Sequence, residues 1–182
     1  MRKQKKTDSV EQLIVQGNKF LGEKKYTSAL QVYNWIKEQY PPNSEVFFKL
    51  GMTYDYLKLY EQSLENYEYA IKLSPDLEGA WEYIGIVYHK LFHYEKALTC
   101  YDRAIDLNPS YSYAYYNKAI TLSALGKLRE AIICYNECIK RSPNFSLAYL
   151  NKAELLKRIA SLNDSTASTY KPIRLKSSAL FR

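Results

Sequence analysis

The side chains best suited to metal binding or nucleophilic chemistry in this chain are His89 and His93, with Cys100, Cys134 and Cys138. The two histidines stand four apart, the spacing by which two imidazoles on one helix face grip zinc. Lys90, Leu91 and Phe92 lie between them, so no glutamate is placed as a base. His93 is expected in a turn, which breaks the shared face. Cys134 and Cys138 are also four apart, but no CxxC pair or neighbouring histidine completes a ligand set. An odd number of cysteines argues against a disulfide framework. All three are expected to be small packing residues. The 6 glycines form no phosphate-cradling loop, and no Ser-His-Asp or Cys-His set stands in a motif. The expectation is no catalysis, no metal and no cofactor.

The elements that position these residues come from a repeat. In Glu78 to Pro109, Trp81, Ile84, Gly85 and Tyr88 follow the i, i+3, i+4, i+7 spacing of an amphipathic helix. A second such segment runs through Tyr94, Ala97, Leu98, Tyr101, Ala104 and Ile105. Shifting by 34 residues preserves the pattern. Pro41, Pro75, Pro109 and Pro143 close successive units. A small residue recurs at Gly17, Gly51, Gly85, Ala119 and Ala153, and an aromatic at Tyr33, Tyr67, Tyr101 and Tyr135. Ala29, Ser63, Ala97 and Ala131 hold one further place, and Leu13, Phe47, Trp81, Tyr115 and Tyr149 another.

These residues resemble the tetratricopeptide repeat, a 34-residue helix–turn–helix with aromatic, Gly, Tyr, Ala and Pro at fixed offsets. The resemblance implies an all-α, right-handed superhelical solenoid. Four units are expected at 10–43, 44–77, 78–111 and 112–145, followed by a capping helix over 146–159. Ser44, Ser112 and Ser146 stand where an N-cap would accept from free amides. The turn within each unit usually carries glycine. Only Gly126 supplies it, with Lys24, Lys58 and Phe92 in the other three. Either these side chains are strained by roughly 1 kcal/mol, or their turns differ in shape.

The formal charge of +7 lies at the two ends. Residues 1–9 carry four bases against Asp8, and residues 160–182 four against Asp164, which leaves the array nearly neutral. A nucleic-acid reader would line a face with Lys and Arg, so nucleic acid is not expected. The basic lead has no apolar segment after its charges, unlike a secretory signal. No apolar run of about 18 or more residues could span a membrane. The expected location is cytoplasmic. The 160–182 tail, rich in Ser and Thr, is expected to be disordered, with Tyr170 to Leu175 as a candidate motif. The capping helix is unusually apolar at Leu147, Tyr149, Leu150, Ala153, Leu155, Leu156 and Ile159. Caps normally turn a polar face to water, so this one is expected to be covered, by the tail or in a homodimer.

In the family, first helices line a concave groove, and the second, fifth, ninth and twelfth places of each unit face it. The resemblance therefore implies a peptide-binding groove of Ile14, Asn18, Glu45, Phe48, Met52, Asp55, Glu82, Ile86, His89, Tyr113, Tyr116 and Ile120. Apolar and aromatic anchors would run along it, with an acidic patch at Glu45, Asp55 and Glu82. Such a groove suits an extended or helical peptide with apolar anchors. Family members that grip acidic chaperone tails use a carboxylate clamp of Lys and Asn, then Asn, then Lys and Arg, on successive units. No starting unit here supplies that set; from unit one the chain offers Ile14 and Asn18, Lys49, then Gly79 and Tyr83. The expected function is a non-enzymatic adaptor or scaffold. A chaperone like those of bacterial secretion systems, and a structural subunit of a stable assembly, are the alternatives.

Overall fold

The computed structural model describes residues 9–169, with the backbone alone for 163–169. It is all-helical over that span. The helices are α1 (Val10–Gly22), α2 (Tyr26–Gln39), α3 (Ser44–Tyr56), α4 (Tyr60–Leu73), α5 (Glu78–Lys90), α6 (Tyr94–Leu107), α7 (Ser112–Ala124), α8 (Leu128–Arg141) and α9 (Ser146–Thr169). They pair as α1/α2, α3/α4, α5/α6 and α7/α8. Each second helix also packs on the next first helix, and α1, α3, α5 and α7 run side by side. The result is the helix-pair solenoid that the resemblance implies. Its core is a chain of local clusters, as stacked repeats require.

Within each of the first three units the helices cross at a glycine. A methyl group built on Gly17, Gly51 or Gly85 would lie 2.5 Å from a ring carbon of Tyr33, Tyr67 or Tyr101 respectively. Ala119 holds this place in the fourth unit, and the Tyr135 ring there is also buried. The Ser63 hydroxyl ties the second pair by donating to the Gly51 carbonyl at 2.8 Å.

The four turns are alike. Lys24, Lys58 and Phe92 have φ of 59°, 60° and 61°, and Gly126 has 77°. In each turn the next amide reaches back five residues: Lys25 to Phe20, Leu59 to Tyr54, His93 to Tyr88 and Lys127 to Leu122. This is the Schellman motif, which satisfies helix-end carbonyls by a left-handed residue. The three side-chain-bearing residues therefore occupy the strained conformation.

Three expectations need correction. Ser44, Ser112 and Ser146 open their helices from the first helical position and do not stand at the N-cap. Asn43 caps α3, its side chain accepting from the amides of Glu45 and Val46. Tyr111 precedes α7 without a side-chain cap. At α1 the cap is Ser9, in a reciprocal box with Gln12. Residues 160–169 are helical and extend α9 beyond the expected end at 159; residues 170–182, including the Tyr170 to Leu175 stretch, lie outside the described residues. Ala160 occupies the turn place but continues the helix.

Glycine-to-alanine changes should split by site. Alanine gains up to about 1 kcal/mol of helix propensity, while overpacking costs about 1–3 kcal/mol. Gly51→Ala is expected to lower stability in urea unfolding. Gly22→Ala, with nothing within 4 Å of the added methyl, should be neutral or stabilising. Lys58→Gly should relieve backbone strain and raise stability by roughly 0.5–1 kcal/mol.

Candidate functional site

The side-by-side first helices form one face of the array, and most of the expected groove residues lie along it. Their availability differs sharply. Asp55 is buried, and both its oxygens accept from Lys90 Nζ at 2.7 Å. Glu82 is buried too, accepting from Asn117 Nδ2 at 2.7 Å and from the Tyr111 hydroxyl. Burial pushes the Glu82 carboxyl above its usual range, against the lowering effect of these two donors. Tyr111 is raised by its own burial and by that carboxylate. The expected acidic patch is thus corrected: of its three members only Glu45 is exposed. Ile14 is buried within the first core cluster, a second correction. In both cases a neighbouring helix covers the side chain.

A rule of spacing underlies these bonds. Asp55–Lys90, Glu82–Asn117 and Tyr116–Asn151 are each separated by 35 residues, one repeat plus one. Neighbouring first helices are staggered so that one place meets the following place of the next unit. Lys90, Asn117 and Asn151 escaped a reading made one place at a time, although the 35-residue spacing was available to find them.

His89 is half-buried, with Nδ1 2.9 Å from Thr121 Oγ1. The Thr121 hydroxyl also donates to the Asn117 carbonyl at 3.0 Å. Burial lowers the His89 pKa, with Lys90 adding to the effect. His93 stands at the N-cap of α6, in the turn. Cys100 and Cys138 are buried thiols, each pushed up to about 11 by burial, and Cys134 is raised for the same reason. Among the described residues no group of three or more His, Cys, Asp or Glu could hold a metal ion.

The aromatic anchors form two groups. Phe48 packs against Tyr67 and Tyr83, with ring centroids 5.6 and 5.4 Å away. Tyr116 packs against Tyr135 and Phe145 at 6.0 and 4.8 Å, and Asn151 donates to its hydroxyl at 3.0 Å. Both rings are half-buried and serve packing as well as any ligand. Asn18 is half-buried and accepts from the Tyr33 hydroxyl at 2.8 Å. Met52 and Ile86 are half-buried.

Further along, the apolar side chains are more exposed than Phe48 and Tyr116. Tyr113 is 54% exposed, Leu147 53% and Leu150 62%. Beside them Ile120, Ser123, Tyr135, Asn151, Glu154, Leu155 and Arg158 line a cavity of about 300 Å³. Of the expected site residues, Ile120 lines this cavity and Tyr113 is exposed at the α7/α9 end. Phe145, Leu147, Leu150 and Arg158 belong to that end and were absent from the expected set.

The sequence profile of the family described as Tetratricopeptide repeat matches residues 44–77, 79–111 and 100–133. No curated protein matches by sequence. Among solved structures, the chain is similar to YrrB, described as a TPR protein with an unusual peptide-binding site. The TM-score is 0.68 at 20% identity, over 75% of this chain and 71% of that one. The first TPR of Spaghetti (RPAP3), bound to HSP90 peptide SRMEEVD, gives 0.62 at 23% identity, over 64% and 93%. MamA gives 0.65 at 25% identity, over 85% and 97%. Among the described residues no helix is long and apolar enough to cross a membrane.

The buried carboxyl supplies a pH test. Because the folded pKa of Glu82 exceeds its reference of 4.5, the folded chain holds this proton more tightly than the unfolded one. Its contribution is fully present below pH 4.5 and is lost as pH rises through the raised value. Glu82→Gln can still accept from Asn117 and can donate to Tyr111. It should raise stability at pH 7 and flatten the decline above pH 4.5, as read by thermal unfolding across pH.

Proposed function

The chain belongs to the tetratricopeptide repeat family, and from that premise we propose that it is a non-enzymatic adaptor that binds a peptide segment of a partner protein in its concave groove. The observation that carries this reading is the exposed apolar strip of Tyr113, Leu147 and Leu150 beside the cavity at Ile120 and Asn151. An apolar anchor laid there removes surface that the fold leaves wet, worth roughly 25 cal/mol per Å² buried. The half-buried Phe48, Met52 and Ile86 extend the same surface toward the first units.

The ligand is a peptide with apolar or aromatic anchors, extended or helical. Central carboxylates contribute little to its choice, because Asp55 and Glu82 already have partners. Exposed Glu45 and Glu154 favour a basic residue near either end. The Spaghetti domain holds an acidic chaperone peptide, but this chain has Ile14 and Asn18, Lys49, then Gly79 and Tyr83 where a clamp would need its bases and amides. Neither enzymatic turnover nor a cofactor is part of the proposal. The proposed location is cytoplasmic.

Two measurements test the reading. In affinity capture from native lysate, Tyr113→Ala/Leu147→Ala should lose specific partners with helicity and melting unchanged. Both side chains are mostly wet, whereas Phe48 or Tyr116 variants would disturb packing. Retention of the same partners would sink the groove assignment. In fluorescence anisotropy, a labelled SRMEEVD peptide is expected not to bind; salt-sensitive micromolar binding would show a clamp built from other residues.

A further inference from the structure

Where α4 and α6 flank α5, a second cavity of about 300 Å³ opens, built from none of the groove residues. Ile71, Trp81, Ile84 and Tyr88 give it apolar walls, and Glu68 on α4 and Lys96 on α6 give it its charges. Lys96 Nζ lies over the Tyr88 ring, 5.4 Å from the centroid. Lys72, one turn beyond Glu68, lies over Tyr69 at 6.0 Å. Glu68 is exposed, and among the described residues it enters no ion pair.

The neighbouring repeats show what kind of group satisfies these places. One repeat later, Asp102 holds the place of Glu68 and pairs with Lys118. Tyr115 there holds the place of Trp81 and lies under the Arg141 guanidinium, 4.1 Å from its carbon. One repeat earlier, Phe47 holds the same ring place and lies under Lys37 at 5.6 Å. The counterparts of Lys118, Arg141 and Lys37 around this cavity are Ile84, Leu107 and Ile71. The junction of the second and third units thus keeps the carboxylate and the aromatic ring, while all three cations are replaced by aliphatic side chains.

We propose that this cavity takes an arginine side chain from a partner protein. The guanidinium pairs with Glu68, and its plane and methylene stem lie against Trp81, Ile71 and Ile84. Arginine suits both halves of the site, because its planar fork matches a carboxylate and stacks on an aromatic face. The ammonium of lysine is compact and strongly hydrated, and gains less from the ring. A purely apolar side chain would fill the volume and leave the Glu68 carboxylate without a counter-charge. The partner's arginine does from outside what Lys118 and Arg141 do from within the chain one repeat later.

The test is a titration of the full 182-residue chain with N-acetyl-arginine amide, followed by NMR at the Trp81 indole and the Ile71 and Ile84 methyl groups. N-acetyl-citrulline amide is the neutral control of the same shape. Arginine should shift these signals saturably, and citrulline should not. Glu68→Gln should weaken binding about two- to fivefold, the range for a partly exposed ion pair. Leu107→Arg, which supplies from within the cation that Arg141 supplies to Tyr115, should also weaken it. Equal shifts from arginine and citrulline overturn the proposal. So does a wild type without saturable shifts, or an affinity indifferent to both Glu68→Gln and Leu107→Arg. The groove reading stands or falls separately, because Tyr113→Ala/Leu147→Ala should leave these shifts unchanged.

Discussion

The close approach of Tyr33, Tyr67 and Tyr101 to Gly17, Gly51 and Gly85 sets the distance between the two helices of each unit. Each ring fills the space that a side chain would otherwise take, so the helix axes come together. A protein interior is close-packed, and contacts of this kind leave little room for adjustment. The depth of the pair then sets how the next first helix settles into the groove it presents. Because the same contact recurs at the same place, the same step is repeated and the array grows as a regular solenoid. The fourth unit keeps the arrangement with Ala119 under a buried Tyr135.

That regular stagger explains why polar groups on the first helices find partners one repeat and one residue away. Asp55 with Lys90, and Glu82 with Asn117, are both removed from the ligand-facing inventory by it. Burying a carboxylate is costly unless it is paired, and each of these is paired across a unit boundary. They tie neighbouring units together, and apolar side chains make up much of what stays exposed at the α7/α9 end. The groove is therefore less acidic than its composition suggests, and its open end is aromatic and aliphatic.

Regularity also makes the exception informative. Lys24, Lys58 and Phe92 accept left-handed backbone so that the chain can double back. At Ala160 it does not double back, and α9 extends to Thr169. The face that a second helix covers in every earlier unit is left to solvent in the isolated chain.

Periodicity located the helices and their order, and the resemblance it supports implied how they stack, because small and large residues recur at the same places in every unit. The turn residues were legible too, since a place that wants glycine is recognisable even when lysine or phenylalanine fills it. The sequence did not disclose which groove-facing places stay open. Ile14, Asp55 and Glu82 share their places with Phe48, His89 and Tyr116, yet the first three are buried and the others half-buried. Nor did the serines at 44, 112 and 146 reveal that they begin their helices one position past the cap. Only the tertiary structure decided these matters. Burial and hydrogen bonding depend on what the adjacent helix presents at contact distance, and that is a property of two helices together that neither segment carries by itself.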